Sequence, residues 1–388
     1  MESKNKEVVK ILFKLLRYEL CGGDFNVEKT TLSDEVLLNL LELSKFYDLA
    51  HLIGDALNKN GLLENNTQIK SKFLKEVFMA VSRHEQRAYE YLKIKEALSQ
   101  AKIPFIPLKG MVIQNLYPKP WMRTSSDIDI LVDKSNLKKA IEVLKTGLNY
   151  TGSFIGKHDA QLYSQNGGHL ELHYTLTGGD TTNQQQEALK NVWAFDESSE
   201  SFERKMSKEH FYLYFILHMA IHVKEGGCGI RPFLDVYLMQ QSGAFDKEKC
   251  ESLLKETNLY TFNKEVEHLY KVWLLDEDYT SLDKDFENYI LLGGLYGTTR
   301  NRVLVKTQKS GKFKYVLSRI FIPYSELKIM YPKLKKCWIL FPFYQIKRWF
   351  NLLNKEKRKK AKSELKITIN QSNESAENIK NLLNQLEI

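Results

Sequence analysis

The segment DIDILV at residues 127–132 constrains the fold most strongly, because it resembles a core strand in composition but carries two acids. Side chains alternate across a β-strand, so Asp127 and Asp129 share one face while Ile128 and Ile130 share the other. Two carboxylates on a partly buried face repel each other, and one tends to take up a proton. A divalent cation removes this repulsion, so the segment predicts a strand with a metal-binding polar face.

A third acid is expected on a neighbouring strand. The segment HLELHYTL at residues 169–176 also alternates, and its polar face carries His169, Glu171 and His173. Three carboxylates suit Mg²⁺, and two ions bridged by carboxylates can activate an attacking oxygen and stabilise a leaving one. Zinc bound by the two histidines is a less favoured alternative, because strand residues at this spacing rarely all reach one ion. The histidines are more simply interpreted as lining the cleft.

A phosphate site is expected upstream, where Lys109 and Gly110 join the apolar strand IPFIPL to a short helix. Glycine lets the backbone come close to a ligand, and the amides at a helix N-terminus attract phosphate. Arg123, Ser125 and Ser126 add a cationic group and hydroxyl groups near the same place. The pattern indicates a site for a triphosphate, although Lys109 could instead form a salt bridge with one of the acids.

The order of periodic segments predicts an α+β protein, with an α/β core embedded in mainly helical N- and C-terminal segments. Helices are expected over 6–20, 31–61 (capped by Thr31 or Ser33), 68–103, 111–117, 135–148 and, after residue 207, in several stretches to about 294; strands are expected over 103–108, 127–132, 150–155, 159–165 and 169–176. The expected divisions are an N-terminal helical region (1–100), the core (101–200), a helical domain (201–298) and a basic, aromatic C-terminal segment and tail (299–388).

A second polar cluster is expected in the helical domain. His218 and His222 are one helical turn apart, and Arg231 and Asp235 have the same spacing on the next helix. No glutamate follows His218, so the metalloprotease pattern is absent. The cluster is expected to face the active cleft, where it either holds substrate or braces the two helices. The aromatic run HFYLYFILHM is expected to be core.

Composition and charge indicate the class of protein. The charged N-terminus and the lack of a long apolar run predict neither a signal peptide nor a membrane span. Four scattered cysteines without a CxxC pair favour a reduced, cytoplasmic protein. Residues 300–366 carry 20 Lys/Arg against three acids, a net charge of +17, which leaves −8 for the remaining chain. Interleaved aromatics suit a nucleic acid or an anionic membrane, and a solvated basic face is the alternative.

The order PFIPLKGMVIQNLYP, then SSDIDILV, then HLELHYTL resembles the uncharacterised nucleotidyltransferase family of the DNA polymerase β-like superfamily. This likeness covers roughly residues 100–176, and the stretches HMAIH, RPFLDVYL, RIFIPYSELKIMYPKLKK and LFPFYQIKRW extend it over most of the chain.

The resemblance implies a polymerase β-like core in which Asp127 and Asp129 bind metal, Glu171 is the third carboxylate and Gly110 holds the nucleotide phosphates. The superfamily's turn is Gly-Gly or Gly-Ser, whereas this chain has Lys109-Gly110. The usual hydroxyl is then supplied by Ser125 or Ser126, or is absent.

The expected function is Mg²⁺-dependent transfer of a nucleoside monophosphate from a nucleoside triphosphate, ATP by default, to an acceptor hydroxyl. Two Mg²⁺ ions are expected, with Mn²⁺ as a substitute, and the sequence does not identify the acceptor. One alternative is a non-catalytic binding module that uses the cleft, or binds a polyanion through residues 300–366. A weaker alternative is a small-molecule-modifying enzyme of the antibiotic-resistance type, which shares the chemistry and differs in the acceptor.

Overall fold

The protein is described here by a computed structural model. It covers residues 3–23, 32–156, 158–178, 181–190, 192–195, 201–243, 245–293, 312–324, 331–335, 337–350 and 373–388, with isolated positions between 301 and 362. The chain divides into two compact units, of which the first is Met1–Met219 with Ile230–Asp283 and the second is Ala220–Gly229 with Lys284–Ile388.

The first unit contains a five-stranded mixed sheet. Its strands are β1 (Phe105–Pro107), β2 (Asp127–Val132), β3 (Thr151–Ile155), β4 (Asp159–Tyr163) and β5 (His169–His173). The spatial order is β1-β2-β5-β4-β3, and only the β2–β5 pair is parallel. Asp127 lies opposite His169, and Asp129 lies opposite Glu171. The two polar faces predicted from the sequence are therefore in register at the centre of the sheet.

Helices make up most of the remaining described chain. In order they are α1 (Ser3–Cys21), α2 (Asp34–Phe46), α3 (Ala50–Lys59), α4 (Thr67–Gln100), α5 (Gly110–Ile113), α6 (Leu137–Leu148), α7 (Asn183–Ala188), α8 (Lys208–Glu225), α9 (Arg231–Gln241), α10 (Lys247–Glu256), α11 (Tyr260–Leu275), α12 (Ser281–Gly293), α13 (Lys312–Ile320), α14 (Phe341–Phe350) and α15 (Asn373–Gln385). Short 3₁₀ turns occupy Gln114–Leu116, Pro120–Met122, Val192–Phe195, Pro332–Lys335 and Trp338–Leu340. None of the described helices is long and apolar enough to cross a membrane.

One face of the sheet is covered by α4 and α6. Ile128 and Ile130 of β2 and Leu170 and Leu172 of β5 are buried in a single core cluster that also holds Ile94, Leu98, Ala140 and Leu144 from those helices. Because side chains alternate along each strand, this packing directs the acids of β2 and β5 to the opposite face. The core thus fixes the orientation of the polar residues.

The predicted helix over 31–61 is two helices. Ser33 caps α2 by accepting a hydrogen bond from the Val36 amide, and Thr31 lies outside the described residues. The chain turns between α2 and α3 at Asp48, whose φ of 55° is in the left-handed region that ends a helix. The mixed α+β organisation expected from the sequence is confirmed.

The second unit has its own small core. Ile322, Leu327, Leu334 and Tyr344 are buried together. The Tyr289 hydroxyl donates to the Val223 carbonyl at 2.7 Å, which ties the segment Ala220–Gly229 to α12.

Candidate functional site

The polar face of β2 and β5 brings carboxylates and imidazoles together. An oxygen of Asp127, a ring nitrogen of His169 and an oxygen of Glu171 lie within 4.8 Å of one another. Ligand atoms of Asp129, Glu171 and His173 form a second group within the same distance. Glu171 belongs to both groups, so its carboxylate lies near Asp127 in one group and near Asp129 in the other.

Asp129 is already neutralised within the protein. Its Oδ1 accepts from Lys109 Nζ at 2.8 Å and lies 2.9 Å from His173 Nε2. Burial alone would raise the pKa of Asp129, but Lys109 and His173 outweigh burial and hold this pKa well below its usual range. Burial would lower the pKa of Lys109, but Tyr214 and Asp129 raise it overall, so the pair is charged.

Asp127 has a different environment. It accepts a hydrogen bond from Ser125 Oγ at 2.9 Å and is only half-buried. Burial raises its pKa, and the negative charges of Asp129 and Glu171 raise it further. The repulsion expected from the sequence therefore acts on Asp127, and a cation bound beside Asp127 and Glu171 would relieve it.

The turn at Lys109 and Gly110 is held close to these acids. Lys109 has a φ of 39°, an unusual value for a residue with a side chain. A Cβ on Gly110 would lie 2.7 Å from Arg123 Nη1 and 3.2 Å from Ser125 Oγ. An alanine at 110 would therefore force the Arg123 or Ser125 side chain to move.

Arg123 forms a buried ion pair. Its Nε and Nη2 donate to the two carboxylate oxygens of Asp235 at 3.3 and 2.9 Å. The Tyr117 hydroxyl donates to the same carboxylate at 2.8 Å. Burial would lower the pKa of Arg123, but Asp235 raises it overall. The pair fixes α9 against the segment that precedes β2.

Arg231 forms the next ion pair along α9. It donates to the side chain of Asp48 and to the Asp48 carbonyl, and Thr124 Oγ1 donates to the Asp48 carboxylate at 2.7 Å. Arg231 and Asp235 thus connect α9 to the turn at Asp48 and to the segment before β2. Of the two histidines predicted to join this cluster, His218 lies with its ring 6.1 Å from that of Tyr214, and His222 belongs to the second unit. Ser126, a predicted phosphate ligand, is exposed just before β2.

Two residues near the site were missed by sequence reasoning. Arg87 of α4 donates through Nη1 to the Ser125 carbonyl, while its Nη2 is buried and has no hydrogen-bond partner among the described residues. Burial lowers the pKa of Arg87 to about 10, and nearby Arg123 adds to this effect. Tyr214 of α8, expected to be core, is buried and interacts electrostatically with Lys109.

The side chains present fit a divalent cation. Asp127 and Glu171 supply oxygen donors, and Nε2 of His169 is buried without a hydrogen-bond partner in the described part of the chain. A buried polar atom without a partner costs free energy, and a cation shared with the two carboxylates would satisfy it. Asp129 could contribute through Oδ2, because Oδ1 already contacts Lys109 and His173.

A separate cavity of about 440 Å³ opens beyond the carboxyl ends of β2 and β5. Its lining includes Asp133, Lys134, Tyr174, Lys190 and Trp193, and none of the three converging acids is among the described residues that line it. It is therefore distinct from the acid cluster.

Comparison with known proteins gives one family match. The model of a family described as uncharacterised nucleotidyltransferase matches residues 37–274, which is more than half of the chain. The match includes all of the candidate site residues and ends before the basic C-terminal segment. No curated protein matches the chain.

Proposed function

This chain belongs to the uncharacterised nucleotidyltransferase family, and on that premise we propose that it transfers a nucleoside monophosphate from a nucleoside triphosphate to an acceptor hydroxyl. Pyrophosphate is the second product. The observation that carries the proposal is the placement of Asp127 and Asp129 on β2 and of Glu171 on the adjacent β5, with Glu171 close to each aspartate and Lys109 bound to Asp129. The polymerase β-like core implied by the sequence resemblance is part of this proposal.

Asp127, Asp129 and Glu171 would hold the divalent ions, with Mg²⁺ as the default and Mn²⁺ as the substitute. When bound, these ions supply charge neutralisation of the triphosphate and of the developing negative charge. Lys109 neutralises Asp129 within the protein, which reduces the repulsion between Asp129 and the neighbouring acids.

The protein groups would orient the triphosphate and move one proton. Gly110 lets the backbone approach the phosphates, while Ser125, Ser126 and the guanidinium groups of Arg87 and Arg123 lie on the segments around it. The acceptor oxygen forms a bond to the α-phosphorus, and the bond from that phosphorus to the pyrophosphate oxygen breaks. Glu171 takes the acceptor's proton, and the released pyrophosphate carries the electron pair of the broken bond.

The test is a transfer assay with triphosphates labelled at the α-phosphate, incubated with the protein, Mg²⁺ or Mn²⁺, and metabolite or protein extracts. We expect label on an acceptor and release of pyrophosphate, with ATP as the first nucleotide tried. Mutation of a residue that hydrogen-bonds a metal ligand reduces activity by up to about 100-fold. Asp127→Asn changes a ligand itself, so it should reduce transfer by more than this.

Asp278→Asn is the matched control, because Asp278 is an exposed acid on the loop after α11 and is remote in sequence from the site. Its activity should equal that of the wild type. If the wild-type protein neither binds Mg²⁺-nucleotide nor transfers label, the proposal is wrong. Transfer that is unchanged in Asp127→Asn would contradict the assignment of the site.

A further inference from the structure

The second unit exposes an unusual concentration of large apolar side chains. Twelve of the twenty-two exposed large apolar residues in the described chain lie between residues 313 and 350. They are Phe313, Leu317, Ile320, Phe321, Tyr324, Trp338, Ile339, Leu340, Phe343, Ile346, Trp349 and Phe350. We call these residues the apolar surface. Contiguous exposed apolar surface marks interaction sites in soluble proteins, so this concentration is a candidate for one.

This exposure belongs to a folded segment. Phe313, Leu317 and Ile320 follow helical spacing along one face of α13, and Phe343, Ile346 and Phe350 do so along α14. On its other side α14 buries Tyr344 against the small core. The segment has therefore packed one apolar face and still presents another to solvent.

The two helices are joined where their apolar faces meet. The Trp349 indole nitrogen donates to the Ile320 carbonyl at 2.9 Å, and Arg348 Nη1 donates to the same carbonyl at 3.0 Å. The rings of Phe321 and Trp349 lie 5.4 Å apart in an edge-on arrangement. The ends of α13 and α14 that carry Ile320 and Trp349 therefore pack together, so the exposed apolar side chains at these ends lie side by side.

Positive charge borders the apolar surface. Lys314 and Arg319 are exposed on α13, and Lys347 is exposed on α14. Residues 300–366 as a whole carry a net charge of +17. Exposed aromatic and aliphatic side chains next to Lys and Arg are the combination by which a helix lies in the headgroup region of an anionic bilayer.

The aliphatic residues decide between a bilayer and a nucleic acid. Single-stranded nucleic acids stack their bases on aromatic rings and pair their phosphates with cations. Leu317, Ile320, Ile339, Leu340 and Ile346 offer no ring for stacking, but they gain free energy when buried among acyl chains. We propose that the apolar surface, carried by α13, the turn at Trp338–Leu340 and α14, docks the protein peripherally on an anionic lipid bilayer.

The test is co-sedimentation of the full chain with vesicles of phosphatidylcholine alone and of an equal mixture of phosphatidylcholine and phosphatidylglycerol. We expect binding to the mixed vesicles that weakens with added salt, because the headgroup attraction is screened. The double variant Ile339→Ser/Phe343→Ser should bind the mixed vesicles at least about tenfold more weakly, since it removes two side chains from the bilayer.

The matched control is Phe78→Ser/Leu92→Ser, which removes two comparably exposed apolar residues from α4. It should bind vesicles like the wild type. Absence of wild-type binding to mixed vesicles, or equal losses in the two double variants, would overturn the inference. Preference for single-stranded RNA over vesicles, unaffected by Ile339→Ser/Phe343→Ser, would also overturn it.

A second measurement needs no change in the apolar surface. Cys337 is exposed and precedes Trp338, Cys228 and Cys250 are buried, and the half-buried Cys21 is replaced by serine for this measurement. An environment-sensitive fluorophore on Cys337 should shift to the blue when mixed vesicles are added and stay unchanged with RNA. No shift with vesicles would contradict the docking surface. The outcome is independent of nucleotidyl transfer, so either proposal can fail alone.

Discussion

Asp127 and Asp129 lie two residues apart on one face of β2, yet their surroundings shift their pKa values in opposite directions. Burial and the neighbouring acids raise the pKa of Asp127, whereas Lys109 and His173 overcome burial and lower the pKa of Asp129. One acid is thus neutralised by the protein, and the other stays available to a cation together with Glu171. The sequence allowed a salt bridge from Lys109 but could not show which acid it reaches.

Lys109→Met tests the internal neutralisation of Asp129. Lys109 and Asp129 are both largely buried, so removing the cation leaves a buried carboxylate that keeps His173 as its hydrogen-bond partner. We expect the free energy of unfolding to fall by about 3–5 kcal/mol. Lys109→Met/Asp129→Asn should recover most of this loss, because no buried charge remains. Urea unfolding measures both, and equal stability of the single and double variants would contradict the explanation.

His51 gives a prediction about pH. Its Nε2 donates to the Met122 carbonyl at 2.7 Å, and burial lowers its pKa from 6.5 to about 4. Between these values the unfolded chain binds a proton that the native protein excludes, so stability falls as pH decreases from 6.5 towards 4. This group alone should cost about 3 kcal/mol over that interval.

The measurement is the free energy of unfolding of wild type and His51→Gln at neutral pH and near pH 4. Gln can donate from the position of Nε2 but does not titrate. The variant should lose less stability on acidification than the wild type, by about 3 kcal/mol. Identical pH profiles would show that His51 is not held neutral.

At the scale of elements, the alternation of apolar and polar residues was sufficient to predict the strands of the sheet and the polar faces of β2 and β5. The alternating pattern is a local property, and it also fixes which side chains share a face. The sequence did not predict that Arg87 lies beside the site, because an arginine on a 34-residue helix is usually part of a solvated face. Its contact with the Ser125 carbonyl depends on how α4 packs against the segment before β2.

The break at Asp48 was missed for a similar reason. Apolar periodicity continues from α2 into α3, and no glycine or proline marks the turn. Asp48 adopts the left-handed conformation there and accepts hydrogen bonds from Arg231 and Thr124. Tertiary contacts therefore hold a turn that local sequence does not announce, and they connect that turn to α9.

Gly110→Ala tests the turn between β1 and α5. The added methyl group would meet Arg123 Nη1 at 2.7 Å, and the ion pair with Asp235 prevents a free retreat of that guanidinium. We expect a loss of about 1–3 kcal/mol in stability, with weaker binding of Mg²⁺-nucleotide. Gly147→Ala on α6 is the matched control, because a Cβ at Gly147 would have no described atom within 4 Å.

The control should stabilise the protein by up to about 1 kcal/mol, as alanine does in a helix. Thermal unfolding gives the stability change, and equilibrium binding of a fluorescent nucleotide gives the affinity. Gly110→Ala with unaltered nucleotide affinity would argue against a phosphate site at this turn, even if its stability falls.

At the scale of the whole molecule, the boundary of the basic segment and the boundaries of the two compact units fall at different residues. The sequence places the excess of positive charge after residue 300, whereas the second compact unit also includes Ala220–Gly229. The boundary of the basic segment could be predicted from the sequence, because composition is a local property of the chain. The membership of Ala220–Gly229 in the second unit could not be predicted in this way, because it depends on contacts between residues far apart in sequence. Tyr289 and Val223, for example, are 66 positions apart.

Thermal unfolding provides a test of where nucleotide binds. If Mg²⁺-ATP binds at the acids of β2 and β5, it should stabilise the native protein by about 2.7 kcal/mol at a concentration of 100 times its Kd. Calorimetry should then show an upward shift of the unfolding transition, because the ligand stabilises the native state that binds it. Asp127→Asn should abolish the shift, and Asp278→Asn should retain it. A shift of equal size in Asp127→Asn would locate the nucleotide elsewhere in the protein, since a site built on these acids cannot lose one of them without losing affinity.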